Sequence, residues 1–307
     1  MLRNKDSYLF RVVLSAFLLI GAFSVSAQTP AAIVADPPPD KANPASMDAP
    51  DIVIRGAAMH AVIYLAAGAS PHPTVVMMHG FPGNEQNMDM AYAIRRAGWN
   101  VLVPHYRGSW GSQGSFTFAN AIEDTQASVA FLREPANVAK YRVDPKRIVL
   151  IGHSMGGFMV SRAGASDSQV IAVAMIAAWN IGATVSADPK GRMDLFRDSS
   201  PRLAGTTPEG LLSEIQQNAA KLNYLDDAPA LKDRPVLVLE ADDRNITFNH
   251  EMVLALRKAG NTRVTEEHVA SDHVFSDHRI ALESIVINWL QSLDAAKAAV
   301  NTTTKEK

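Results

Sequence analysis

The 307-residue sequence contains no cysteine. That absence excludes disulfides, thiolate catalysis, zinc–cysteine sites and a lipid-anchored cysteine. Charge of one sign is also lacking: 29 Lys and Arg face 31 Asp and Glu, which gives a formal net charge of −2 and no basic excess for a nucleic-acid partner. Only 20% of residues are charged while 47% are hydrophobic, so the chain is not of the disordered, highly charged kind. No repeat of about twenty to fifty residues recurs, which argues against solenoids and propellers. What is present is enough chain to bury roughly three quarters of its unfolded surface in a core that needs no covalent staple.

Arg3, Lys5 and Arg11 precede an apolar stretch, Val12 to Phe23, followed by Val25 and Ala27 at the −3 and −1 positions of a small-residue cleavage site. Residues 1–27 therefore read as a signal peptide, and export to a bacterial periplasm or beyond is expected. A membrane anchor would need roughly twenty apolar residues. Cleavage removes three bases and one acid, which moves the net charge from −2 to −4. Residues 28–50, with Pro37, Pro38 and Pro39 among many Ala and Asp, read as a disordered linker. Residues 294–307 lose their apolar face and are expected to form a flexible tail.

Between these ends, short β-rich runs alternate with amphipathic helical patterns. Asp51 to Ile54 and His60 to Leu65 predict an opening hairpin. Further strands are expected at Thr74–Met78, Asn100–Pro104, Arg147–Ile151, Val170–Ile176, Pro235–Glu240 and Val264–Val269. Most are continuous apolar runs, the pattern of parallel strands covered on both faces, so the fold class is α/β with helices over a mostly parallel central sheet. Helices are predicted over Glu85–Ala97, Ala121–Leu132 and around Leu282 to Leu293. The segment from Trp179 to Arg234 is too long for a plain connection and carries a helix of its own, Pro208–Leu222, so it predicts a small helical cap over a site.

The sharpest motif is Gly152-His153-Ser154-Met155-Gly156-Gly157, after a predicted strand and before a predicted helix. A glycine-flanked turn of this kind holds its serine in a strained conformation with Oγ exposed above the sheet. A serine hydroxyl needs a base, and that base needs an orienting acid. Asp242 and Asp243 follow one late strand and His273 follows the next, in the order serine, acid, histidine. Asp243 or Asp242 could be the acid, and His278 is an alternative base. Two backbone N–H groups would bind an oxyanion: Met155, after the serine, and Phe81 in His79-Gly80-Phe81-Pro82-Gly83, since Pro82 has none.

Taken together, His79-Gly80-Phe81-Pro82-Gly83, the Ser154 turn, Asp243 and His273 resemble the α/β-hydrolase-fold serine hydrolases over residues 51–293. Tyr106-Arg107-Gly108-Ser109 and Asp272-His273-Val274-Phe275-Ser276 are similar to the dienelactone-hydrolase-like and prolyl-oligopeptidase-like catalytic domains. The resemblance implies hydrolysis of esters, lactones or peptides without a cofactor, with Ser154 as nucleophile, His273 as general base and Asp243 as its acid. Two departures stand out: only a hairpin precedes the domain where full-length prolyl oligopeptidases have a propeller, and Glu240 replaces a usual glycine near the acid. The expected activity is a carboxylesterase acting on a small ester or short peptide-like substrate. A small peptidase, an acyltransferase or a non-catalytic binder on the same fold are the alternatives.

His153 is expected to pack within the serine turn and His79 to fix the oxyanion loop. Trp179 and Trp110 are candidate substrate contacts. His60, His72, His105, His250 and His268 show no metal-ligand spacing, so no metal is assigned. Neither a nucleic-acid partner nor a lasting membrane anchor is expected, and the sequence leaves the oligomeric state open.

Overall fold

Strands whose every residue is apolar must be covered on both faces, and the central strands meet that requirement. The structure, a computed structural model, describes residues 29–69 and 71–305; the expected signal peptide lies outside the described residues. The chain begins with a short helix α1 (Ala31–Val34) and strand β1 (Ser46–Asp48), then a hairpin of β2 (Asp51–Ile54) and β3 (Ala57–Leu65). β4 (His72–Met78), α2 (Met88–Arg96), β5 (Asn100–Pro104), α3 (Phe118–Arg133) and α4 (Pro135–Tyr141) follow. β6 (Val143–His153), α5 (Met155–Ser166) and β7 (Ala172–Ile176) lead into the cap helices α6 (Ile181–Ala187), α7 (Pro189–Ser199) and α8 (Pro208–Asn218). The chain closes with β8 (Val236–Ala241), α9 (Ile246–Lys258), β9 (Val264–Val269) and α10 (Arg279–Lys305).

The sheet order is β1-β3-β5-β4-β6-β7-β8-β9, with β2 paired to β3. β5 through β9 run parallel, while β1, β2 and β3 pair antiparallel at one edge. Successive side chains on a strand face opposite ways, so Ile148 and Leu150 of β6 join the core beneath α3, α5 and α9. Val149 and Ile151 join the core beneath α2 and α10. The pairings Met78↔Gly152, His153↔Ile176 and Ile176↔Leu239 bring the carboxyl ends of β4, β6, β7 and β8 side by side. Loops leaving these ends share one rim, where ligands bind in open α/β sheets.

The cap is helical and tied to the sheet layer by several contacts, among them the following two. Glu214 of α8 accepts from the backbone N–H groups of Phe118 and Ala119, at 3.1 and 2.8 Å, so a carboxylate satisfies donors at the positive end of α3. Phe196 of α7 packs on Phe81, with ring centroids 5.7 Å apart.

One expectation about the ends is corrected. Residues 28–50 predict a linker, yet β1 pairs with β3 through Ser46↔Leu65, Met47↔Tyr64 and Asp48↔Ile63, and Ile33 of α1 packs on the α2/α10 core. Order here comes from backbone pairing with a distant strand, which needs little apolar side chain and leaves no composition signal. Within the expected tail, α10 runs as far as Lys305. The predicted helix Pro208–Leu222 ends earlier, at Asn218.

Candidate active site

Glycine decides the shape of the turn after β6. A Cβ on Gly152 would lie 2.1 Å from the Gly156 carbonyl oxygen, and one on Gly156 would lie 2.1 Å from that of Met78. No side chain fits either place, so helix α5 starts almost on top of the strand ends. Ser154 pays for that closeness with φ 57° and ψ −118°, a region that side chains rarely adopt and that marks functional sites. Its N–H donates to Ile176 at 2.9 Å, and its carbonyl accepts from Gly157 and Trp179 at 3.0 and 2.9 Å.

His273 Nε2 lies 2.9 Å from Ser154 Oγ. On the other side of the ring, Nδ1 is hydrogen-bonded to the Asp243 carboxylate. A carboxylate accepts, so Nδ1 carries the proton and Nε2 is left to accept from the serine hydroxyl. Asp243 is itself held by the Asn245 backbone N–H at 2.7 Å, and its side chain is only 7% exposed. Asp242 is turned elsewhere, with Oδ1 2.8 Å from His268 Nε2. His278 pairs with Asp277 at 2.8 Å and makes no recorded bond to Ser154.

The loop carrying His273 is built by Asp272, whose Oδ1 accepts from the N–H groups of Val274 and Ser276 at 3.2 and 2.8 Å. Arg279 donates to the Val274 carbonyl at 2.9 Å and reaches Asn87 Oδ1 at 3.0 Å, which ties the histidine loop to the start of α2. Neither Asn245 nor Arg279 stood out in the sequence. Asn245 had a signal in its fixed spacing from Asp243; Arg279 had none.

The loop after β4 lies against the serine: a Cβ on Gly80 would sit 3.0 Å from Ser154 Cβ. His79 Nδ1 donates to the Gly80 carbonyl at 2.8 Å, and Tyr106 Oη donates to the His79 carbonyl at 3.1 Å. Met155 opens α5, so its N–H belongs to the first turn and has no intrahelical acceptor. Burial pushes the His79 ring down to about 4 and the His153 ring down to about 3, so both stay neutral at ordinary pH. A cavity of about 160 Å³ lies here, lined by Gly80, Phe81, Ser154, His273 and Val274 among others.

Both tryptophans proposed as substrate contacts lie outside this lining. Trp110 Nε1 donates to the Pro82 carbonyl at 3.0 Å, so it braces the β4 loop from outside. Trp179 is 3% exposed; its Nε1 is satisfied by Thr184 Oγ1, and its ring packs on Phe81 and Phe118. Arg192 of α7 stacks over that ring at 4.9 Å. Trp179 is thus covered by protein partners and has no face left for a ligand, whereas Trp110, 47% exposed, faces solvent away from the cavity lining.

The sequence model of the Alpha/beta hydrolase family matches residues 75–282, a stretch that contains the serine turn, Asp243 and His273. The chain belongs to this family. Esterase EstD of Thermotoga maritima is 28% identical over 153 residues, which cover 45% of this chain and 34% of that protein. The quorum-quenching protein AidA of Acinetobacter baumannii is 32% identical over 107 residues, 33% of this chain and 34% of its own. The matched segments thus span about a third of the length of these curated relatives. Among solved structures, Est1E from Butyrivibrio proteoclasticus superposes with a TM-score of 0.57 at 18% identity, covering 80% of this chain and 99% of that one. Pyrococcus horikoshii acylaminoacyl peptidase gives 0.62 at 17% identity, with 80% of this chain and 41% of that one covered. These structures share the α/β hydrolase fold.

Proposed function

We propose that the protein is an exported serine hydrolase that cleaves carboxylic esters through an acyl-enzyme intermediate. The observation that carries this reading is the hydrogen-bonded series from Ser154 Oγ through His273 to Asp243. In the proposed cycle, His273 Nε2 takes the hydroxyl proton as Ser154 Oγ attacks the ester carbonyl, and Asp243 stabilises the imidazolium that forms. The N–H groups of Phe81 and Met155 receive the developing oxyanion, each contributing about 3 kcal/mol of transition-state stabilisation. His273 then gives the proton to the departing alcohol, and a water activated by the same ring releases the acid. His153 and His79, held neutral by burial, do not compete for the proton.

An ester is favoured over a peptide for two reasons. The name of the Thermotoga relative is that of an esterase, and the cavity of about 160 Å³ is well below the roughly 300 Å³ or more usual for larger ligands, which supports a short acyl group. Export rests on residues 1–27 and is tested by N-terminal sequencing of the protein recovered outside the cytoplasm; the start expected is Gln28. For the chemistry, a fluorophosphonate probe is expected to label wild-type protein on Ser154 and to leave Ser154→Ala unlabelled. p-Nitrophenyl acetate and butyrate are expected to turn over faster than aminoacyl anilides. Anilide turnover with negligible ester turnover would make the protein a peptidase, and absent labelling of folded protein would make it a binder.

A further inference from the structure

The end of β8 holds a buried acid that the proposed chemistry does not use. Glu240 is 6% exposed, and its Oε1 has no hydrogen-bond partner among the described residues. An unpaired carboxylate in that position is costly unless a proton or a cation joins it. Two further ligand groups converge there from separate elements. Glu266 comes from β9, next to β8 in the sheet, and His250 comes from α9, which covers both strands. One ligand atom from each of Glu240, His250 and Glu266 lies within 4.8 Å of the other two.

We propose that Glu240, His250 and Glu266 form a binding site for a divalent cation of the zinc class. One imidazole nitrogen with two carboxylates is a mixed N/O set, which suits zinc better than the all-oxygen ions calcium and magnesium. Two negative carboxylates and a neutral imidazole balance the charge of the ion, and a fourth position is left for water. The existing bonds fit such an occupant. His250 Nδ1 lies 2.7 Å from Glu266 Oε1, so a single proton now holds the place between the two groups that a cation would take. Arg257 Nη2 donates to the other oxygen, Glu266 Oε2, at 2.9 Å, which fixes the carboxylate and leaves Oε1 directed to the site, as outer partners of metal-ligating carboxylates do. Arg257 makes no recorded bond to Glu240, so it does not supply the missing counter-charge. Glu240 stands three residues before Asp243, so an ion here would pin the strand end from which the acid of the proposed triad leaves. Spacing alone hides the site, because positions 240, 250 and 266 meet only through the pairing of β8 with β9 and the packing of α9.

The test is titration of full-length wild-type protein with zinc chloride by calorimetry, alongside Glu240→Gln, His250→Gln and His273→Ala. Expected are one saturable zinc equivalent with proton release, a rise in Tm on loading, and a Kd raised more than tenfold in Glu240→Gln and His250→Gln. Matching metal-free unfolding curves establish that these two variants fold. Loss of binding in His273→Ala with retention in Glu240→Gln would place the ion on the catalytic histidine and overturn the site. So would the absence of saturable binding below millimolar zinc, or a preference for calcium. Ester turnover by metal-free protein is unaffected by any of these results, so failure here leaves the serine hydrolase reading standing.

Discussion

The side chain of His153, the residue before Ser154, reaches the main-chain carbonyl of His273 with its Nε2 at 2.7 Å. A carbonyl only accepts, so Nε2 carries the proton, and the buried Nδ1 is left with no recorded partner. The residue beside the proposed nucleophile thus props the loop of the proposed base. Removing one such bond costs about 1 kcal/mol, and loosening the base from its line of attack costs more in rate than in binding. His153→Ala is therefore expected to lower kcat about tenfold while KM for a small ester stays within about twofold. Steady-state kinetics with p-nitrophenyl acetate check this; an unchanged kcat would remove His153 from any positioning role.

The two adjacent acids are expected to separate sharply. Asp243→Asn leaves His273 in the wrong tautomer and is expected to lower kcat by roughly 10⁴. Asp242→Asn touches only the exposed pair with His268, and kcat is expected to stay within about twofold. Equal losses in the two variants would contradict the assignment of Asp243.

Glycine positions around the serine predict stability. Gly156→Ala would drive a Cβ into the Met78 carbonyl, with backbone on both sides and no flexible side chain to yield. The expected cost is on the order of 3 kcal/mol or more, read as a lower urea midpoint together with lost ester turnover. Gly260→Ala meets no atom within 4 Å, but its φ of 93° strains any side chain. About 1 kcal/mol with activity retained is expected there, so the pair separates backbone strain alone (Gly260) from collision alone (Gly156).

Stability is expected to fall with acid. Burial depresses the folded His79 and His153 to about 4 and about 3, below their unfolded value, so unfolding takes up nearly two protons near pH 5. Asp227 works against this: burial raises it to about 6, and unfolding near pH 5 releases about one proton from it. The balance of these three groups is about one proton taken up, so unfolding free energy drops by about 1.4 kcal/mol per pH unit between pH 6 and 4. The histidine contribution is fully present above about pH 6.5 and is lost as pH falls toward the folded values. Urea unfolding at pH 5 and pH 7 measures this; His153→Gln is expected to flatten the slope.

Much of this was legible in the sequence because the signals were local. β5 and β9 run from Asn100 to Pro104 and from Val264 to Val269 as their apolar or β-branched runs predict. The serine turn announces itself through glycines whose absence of Cβ is a local necessity. What stayed hidden depended on direction and distance. Asp242 and Asp243 differ by one position at a strand end, and only side-chain direction separates them. β1 is ordered by a strand beyond residue 56, and the fate of Trp110 and Trp179 depended on carbonyl and aromatic partners from other loops. Glu240, His250 and Glu266 share no motif at all.

The central claim is that one hydroxyl, at residue 154, carries the acyl group during turnover. Rapid mixing of wild-type protein with excess p-nitrophenyl acetate, quenched in acid and followed by peptide mass spectrometry, tests it most directly. The account predicts a burst of about one p-nitrophenol per chain and an acetyl group on the peptide bearing Ser154, with burst and acetyl both absent in Ser154→Ala. Acetylation confined to another residue, or full turnover by Ser154→Ala, would contradict it.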